Sequence, residues 1–591
     1  MEVSHHPRDQ RVCSVQVLAI CRGVVYYLYM ASIVGKRQGT KTYYYLVESA
    51  RVGGKPRIVS QRYLGSAEEI AARLSQSGPG EPARTQHRGF GDLAAVWGVL
   101  ERLGVARIID DVVGQRRSDA GASVGTYLAL ACANRVVAPC SKLAFVEWWS
   151  TTAGDRLVKL PASALDHRRF WDAMDAISAT QLTEIERRVA AVMVERFGLD
   201  CSGLVLDMTN FATFIDSGND RAPIAQRGHA KQKRTDLRLV GLGLVVTRDA
   251  GIPIISHAYP GNRPDVTQFV SVVAELASRY GSIASPGDEL TVVYDAGQDS
   301  AANQLFIEST PLHFVGSLRP SDHLDLLAEP ASRYLVVDPE AFPGLSAFES
   351  RTSALGATRR VVVTHSEELH HKQRRGFTQT LAKATRRLSE LSSRLERGQT
   401  RREKSAVQRE IDEICSARWV ARCVTTTLRG TTPRSLRLEY SIDEDAVRAL
   451  EDELFGKRIL FSDHEDWTIP EIVAAYRSQF QVEADFRQMK DRSVVSFSPM
   501  YHWTDAKIRV HAFYCVLALA VARLLALEAA RAGLAMSVRE LLGTLSGIEE
   551  TVLLYPGPRG RPRVRHMLTD LDPTQQRLYD LFGLAAYAPK R

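Results

Sequence analysis

Three acidic residues in this chain stand where a carboxylate is costly. Asp207 interrupts the apolar run GLVLDMTNFATFID, whose branched and aromatic content reads as a strand. Asp295 closes the buried run LTVVYDAG and is followed by a Gly-containing loop. Glu483 lies in WTIPEIVAAYRSQFQVEADFRQMKD, where Ile472, Val473, Tyr476, Phe480, Glu483, Phe486 and Lys490 recur at three- and four-residue steps. That period describes one stripe of a helix. A charged carboxylate in an apolar strand or stripe is unfavourable unless a cation or hydrogen-bond donors neutralise it. Hard oxygen donors suit Mg²⁺, which keeps its waters and needs only two or three carboxylates. Two such ions about 3.5–4 Å apart serve in-line phosphodiester transfer, activating the attacking oxygen and stabilising the leaving one.

The elements that must bring these acids together follow from period and punctuation. Thr468 serves as N-cap of the Glu483 helix, Pro470 and Glu471 fit its first turn, and the stripe predicts one long helix over 467–491. At Leu204 the pattern changes from helical to strand-like. Strands are predicted over the Asp207 run and over about 237–247 and 252–258, then a helix over 265–280. A strand ending at Asp295, a helix from about Ser300 and a short strand at 313–318 follow. Strand, strand, strand, helix, strand, helix, strand and the Glu483 helix form the plan of an α/β, ribonuclease-H-like mixed sheet flanked by helices. In that plan the first and fourth strands are neighbours, so Asp207 and Asp295 meet at the carboxyl ends of parallel strands, and the last helix brings Glu483 to them. Asp207, on the central strand, is then the residue to bridge two ions.

The rest of the chain divides around this core. Residues 1–29 read as a non-native or disordered extension, with Met30 the natural start. Residues 30–88 hold a β-hairpin at 38–64, a short helix begun by a Ser66–Glu69 capping box, and a polar linker from 76. Residues 89–200 are helical, a candidate DNA-binding domain. The core occupies 201–318 and 468–535. Between its halves, 319–467 is an α+β insertion with strands near 358–364, 418–428, 435–441 and 457–463. It also carries a helical hairpin whose arms bear Leu381, Leu388, Leu391, Leu395, Val407, Ile411 and Ile414 and many arginines and lysines. Residues 536–591 form an α/β tail.

Taken in order, DMTNFATFID, QRGHAKQKRTDLRLVGLGLVV, VVYDAGQDSAANQ and YRSQFQVEADFRQMKD resemble the blocks of the DDE transposases of bacterial insertion sequences, in the branch with a long insertion before the glutamate. Tyr476, Glu483 and Lys490 stand at the spacing of that family's tyrosine–arginine–glutamate–lysine signature. Gln479 occupies the arginine position, and Arg477 is two residues earlier. The resemblance runs from about Met30 to the C-terminus. It implies Asp207, Asp295 and Glu483 as catalytic residues and ligands of two Mg²⁺ ions, with Mn²⁺ as substitute. It implies cleavage at terminal inverted repeats and transfer of the 3′-hydroxyl ends into target DNA by a homodimer. Tyr476, Arg477 and Lys490 would hold terminal phosphates; Arg487, Lys231, Arg234 and Lys507 are further candidate DNA contacts. The rival readings are a catalytically inactive DNA-binding relative, a nuclease that cuts without joining, and a helical scaffold built on the hairpin.

Composition permits this reading without selecting it. The chain has 591 residues, 45% hydrophobic and 24% charged, with a formal net charge of +8. That length implies several domains, and the modest positive charge is compatible with nucleic acid. Eight cysteines include no C-x-x-C pair, which argues for reduced thiols of a cytosolic protein and against a zinc or disulfide framework; the resemblance implies the bacterial cytoplasm, at the nucleoid. The apolar run 512–522 is about half the length a membrane crossing needs, and Arg523 ends it.

Overall fold

The computed structural model describes residues 30–52, 55–75, 81–114, 121–216, 218–228, 236–283, 289–398, 402–556 and 561–590. They form two compact units. The smaller gathers 30–87 with 550–568, and the larger comprises 88–549 with 569–588.

The larger unit is organised by a nine-stranded mixed sheet. In chain order its strands are β1 (Gly203–Thr213), β2 (Arg238–Thr247), β3 (Pro253–Pro260), β4 (Thr291–Val293), β5 (His313–Leu318), β6 (Leu335–Val336), β7 (Leu345–Ala354), β8 (Ala357–Ser366) and β9 (Lys457–Ser462). Their order across the sheet is β6-β7-β8-β9-β5-β4-β1-β2-β3. β4 runs parallel to β1 and to β5, and every other pairing is antiparallel. Within it, β5-β4-β1-β2-β3 is the ribonuclease-H-like order expected from the sequence. β2 is buried along almost its whole length, the mark of a strand covered on both faces.

The insertion differs from its expected form. Its strands β6 to β9 continue the core sheet beyond β5, and only Val424–Arg429 and Arg437–Ile442 pair separately. Strand partners are set by tertiary pairing, which a local pattern does not encode. The helical hairpin is present as α3 (Glu367–Glu396) and α4 (Lys404–Cys415), following α1 (Phe269–Ile283) and α2 (Ala301–Glu308) of the core. Of its predicted apolar positions, Leu388, Leu391, Leu395, Val407, Ile411 and Ile414 are buried and Leu381 is half-buried.

The predicted long helix is two: α5 (Ile469–Arg477) and α6 (Gln479–Met489). Thr468 and Glu471 form the capping box at the start. At Ser478 the hydroxyl returns to the carbonyl of Ala475, and the backbone N–H is shared between Ala474 and Ala475, tightening the turn. α7 (Asp505–Arg531) follows, a long helix that starts at Asp505 and is buried in its middle, as its sequence leads one to expect. It is long and apolar enough to cross a membrane, yet most of it is buried within this unit. It packs against helices Gly91–Leu103, Val124–Val137 and Ala179–Phe197 and against β3, which makes the helical region part of the same core.

The smaller unit holds a three-stranded antiparallel sheet, Met30–Gln38, Lys41–Val52 and Lys55–Ser66, where a two-stranded hairpin was expected. The Ser66–Glu69 capping box opens helix Ala67–Ser75. Part of the expected linker is the strand Arg84–Gly89, in a second sheet with Glu549–Tyr555 and Arg563–Leu568. The expected C-terminal tail is thus divided: its helices Val538–Ser546 and Pro573–Leu581 lie in the larger unit. Residues 1–29, with the expected extension, lie outside the described residues.

Candidate active site

The register of three parallel strands frames the acids. On β1 and β4, Val205 stands opposite Val293, and on β4 and β5, Val293 stands opposite Val315. Leu460 of β9 pairs with Ser317, and Leu244 of β2 pairs with Asp207. Side chains alternate along a strand, so Leu244, Asp207, Ser317 and Leu460 form one row on one face of the sheet. β4 ends at Val293, and Asp295 follows it by two residues as the cap of the short turn Ala296–Gln298. Neither aspartate buries fully. Asp207 Oδ1 accepts from the Met208 amide at 2.7 Å, and Asp295 Oδ1 accepts from the Gly297 amide at 2.9 Å.

Two hydroxyl groups fix the Asp295 turn. Ser317 Oγ accepts from the Ala296 amide at 3.2 Å and from the Tyr476 hydroxyl at 3.0 Å. Tyr476 is buried, and burial, with Asp295 adding to it, raises the pKa of its phenol against the opposing pull of Arg458. The resemblance gave Tyr476 to a DNA phosphate; in the structure its hydroxyl is engaged with Ser317, so it positions the Asp295 turn. On the other side of the row, the Tyr259 hydroxyl donates to Asp265 Oδ1 at 2.6 Å. Burial raises its phenol as well, with Asp265 and then Asp207 adding to the shift. Gly241 of β2 makes room for that ring, since a Cβ there would stand 2.1 Å from it.

α5 lies on β5 and β9, and α6 on β1 and β2, so the helix pair passes over the row. At the far end Lys490 Nζ donates to Thr209 Oγ1 at 2.8 Å and sits 5.5 Å from the centre of the Phe211 ring, which stacks on Phe497 at 4.1 Å. Thr209 is two residues beyond Asp207 and shares its face. Glu483 is exposed and opens into a cavity of about 260 Å³ lined also by Tyr476, Gln479, Arg477, Arg458 and Leu460. Leu460 ties that cavity to the row. Among the described residues, no hydrogen bond or ion pair joins Glu483 to Asp207 or Asp295.

The other expected contacts divide. Arg477 and Arg487 are exposed, and the Arg477 guanidinium lies 4.9 Å from the centre of the Phe342 ring. Lys507 is a correction: it is buried and ion-paired with Asp175, because helix His167–Asp175 covers the turn that the sequence left open. Lys231 and Arg234 lie outside the described residues. Gln479 keeps its side-chain nitrogen buried with no hydrogen-bond partner among the described residues.

One further acid belongs here. Asp299 is pushed up to about 7, first by burial, with Asp295 and Asp322 adding and Arg319 opposing. Its Oδ1 is buried and has no hydrogen-bond partner among the described residues. The only signal for it in the sequence was an aspartate four residues after Asp295, in a segment that reads as a loop.

No family model and no curated protein matches this sequence. Among solved structures, the chain is similar to piggyBac transposase, seen by cryo-EM in a synaptic complex with hairpin DNA. The identity is 10%, the alignment covers 79% of this chain and 82% of that one, and the TM-score is 0.35. So distant a likeness assigns neither a residue nor a reaction.

Proposed function

We propose that the chain is a DNA transposase that cleaves at the terminal inverted repeats of an insertion sequence and transfers the 3′-hydroxyl ends into target DNA. The observation that supports this best is the parallel pairing of β1, which carries Asp207, with β4, which ends two residues before Asp295, beside the helix pair that carries Glu483. The donor set fits a hard divalent cation: three carboxylates, with the unpartnered Asp299 oxygen near Asp295. Asp207, Asp295 and Glu483 would hold two Mg²⁺ ions, or Mn²⁺ in their place. When bound, such ions activate the attacking oxygen and stabilise the leaving oxygen of a phosphodiester.

The chain's own groups do the rest. Ser317 and Tyr476 hold the Asp295 turn, so that carboxylate is oriented before DNA arrives. Lys490, anchored on Thr209, offers a cation to a phosphate beside β1. Gln479, where the family has arginine, offers an amide N–H to a phosphate oxygen, with Arg477 two residues earlier. Two ends must be joined, so the working form is a homodimer on DNA in the bacterial cytoplasm.

A pre-cleaved duplex end supplied with Mg²⁺ or Mn²⁺ tests the reading. Joining to a second duplex is the result expected of a transposase. Cutting without joining gives a nuclease, and binding alone gives a decoupled relative; either outcome overturns the proposal. Asp207→Ala, Asp295→Ala and Glu483→Ala should each abolish cleavage while end binding is retained. A variant that still cleaves removes its residue from the site.

A further inference from the structure

The sheet of the smaller unit has two unlike faces. Alternation along the paired strands puts Tyr43, Tyr45, Val47 and Tyr63 on one. This face is buried at Val47, which is 2% exposed, and is otherwise partly open, with Tyr63 exposed while in ring contact with both Tyr43 and Tyr45. On the other, Ala31, Ile33, Gly35 and Arg37 of the first strand are all exposed.

The pairings Leu46–Arg62, Ala50–Arg57 and Val52–Lys55 bring three more cations to that open face, with Arg37 opposite Thr42 at its far end. All four cations are exposed, and among the described residues none of them is ion-paired. Glu48 is the one carboxylate that the register sets among them. Tyr44 covers Gly35, where a Cβ would meet its ring at 3.4 Å, giving the centre of the face a flat aromatic surface.

We propose that this open face is a duplex-DNA docking surface. The proposal rests on the transposase reading for its partner, and on charge and shape for its place. Four cations against one carboxylate complement a phosphate backbone. A major groove about 12 Å wide admits a two-stranded β-ribbon, and the paired strands Lys41–Val52 and Lys55–Ser66, which carry three of the four cations, form one. Lys55, Arg57 and Arg62 follow one another along a single strand, as contacts tracking one phosphate chain do.

The test uses the full chain and a mixed-sequence duplex of about 30 base pairs, long enough to release counterions from every contact. In Arg37→Gln/Lys55→Gln/Arg57→Gln/Arg62→Gln, the slope of log K against log salt should fall by about 3.6, from roughly 0.9 per phosphate contact. Affinity at low salt should drop at least about tenfold. Lys36→Gln/Lys41→Gln, exposed on the opposite face, should leave the slope unchanged. In the unsubstituted protein, Lys55 should be protected from acetylation by the duplex and not by a single strand of the same sequence, a readout independent of any variant. An unchanged slope, or a Lys55 equally acetylated with and without duplex, overturns the proposal. Failure here with joining of pre-cleaved ends intact removes only the sheet's role. A protected Lys55 in a protein that never joins ends removes only the transposase reading.

Discussion

The ammonium of Lys490 rests on Thr209, on the same face as Asp207 and two residues along the strand. Lys490→Ala should weaken binding to every duplex alike and lower the salt slope by about 0.9; an unchanged slope would mean that no phosphate meets it. Gln479 gives the complementary experiment. Its buried amide nitrogen lacks a partner, so Gln479→Arg should place a guanidinium in the same cavity and steepen the slope by about 0.9. A flat response there would mean that the cavity does not receive the backbone. At this scale the sequence singles out groups that are costly, a carboxylate inside an apolar strand or stripe; Asp207 and Asp295 are indeed half-buried, whereas Glu483, expected in an apolar stripe, is exposed. Asp299 was passed over because a carboxylate in a polar loop demands no explanation. Lys507 was misread because nothing local to it reveals that Asp175 lies across it.

Between α6 and α7, the segment 490–504 is held from several sides. Arg135 donates to the carbonyls of Ser498 and Pro499, and His511 Nε2 lies 2.8 Å from the carbonyl of Phe497. Phe497 in turn stacks on Phe211 of β1, so the helical region helps to seat the strand that carries Asp207. His502 in this segment is pushed down to about 3, by burial first and then by Lys142, Arg135 and Lys507. Its folded pKa lies below the value of about 6.5 in an unfolded chain, so unfolding takes up a proton at acid pH. The stability it contributes is present above about pH 6.5 and is lost as pH falls toward 3. His502→Gln should therefore melt with a shallower loss of Tm between pH 7 and pH 5 than the parent chain; parallel curves would refute the assignment. Elements of this kind were partly legible. The three- and four-residue period foretold α5 and α6 but ran through Ser478 without a sign, because a single tightened turn hardly disturbs it.

The nine-stranded sheet is the property of the whole molecule that no local pattern announced. Read as a separate domain, the insertion would be dispensable to the core. The structure instead buries Val361, Val362, Val363, Ile459 and Leu460 in strands continuous with β5, and Phe461 lies 5.7 Å from Phe314, ring centre to ring centre. Excising 319–467 would leave β5 as a bare apolar edge, open to pairing with other chains. The excised chain should lose its cooperative melt and aggregate. The hairpin tip is different. Its arms neutralise each other through Arg387–Glu413 at 3.0 Å, Arg394–Glu410 at 2.8 Å and the Arg402–Glu410 pair. The arginines of these pairs are largely exposed, and such pairs add roughly 0–1 kcal/mol each. Cations already matched in this way have little charge left for a phosphate. Replacing 389–412 by a short Gly-Ser turn should keep a cooperative melt and leave the salt slope of DNA binding as it was. A slope reduced by two or more contacts would show instead that the arms open onto DNA and exchange their glutamates for phosphates.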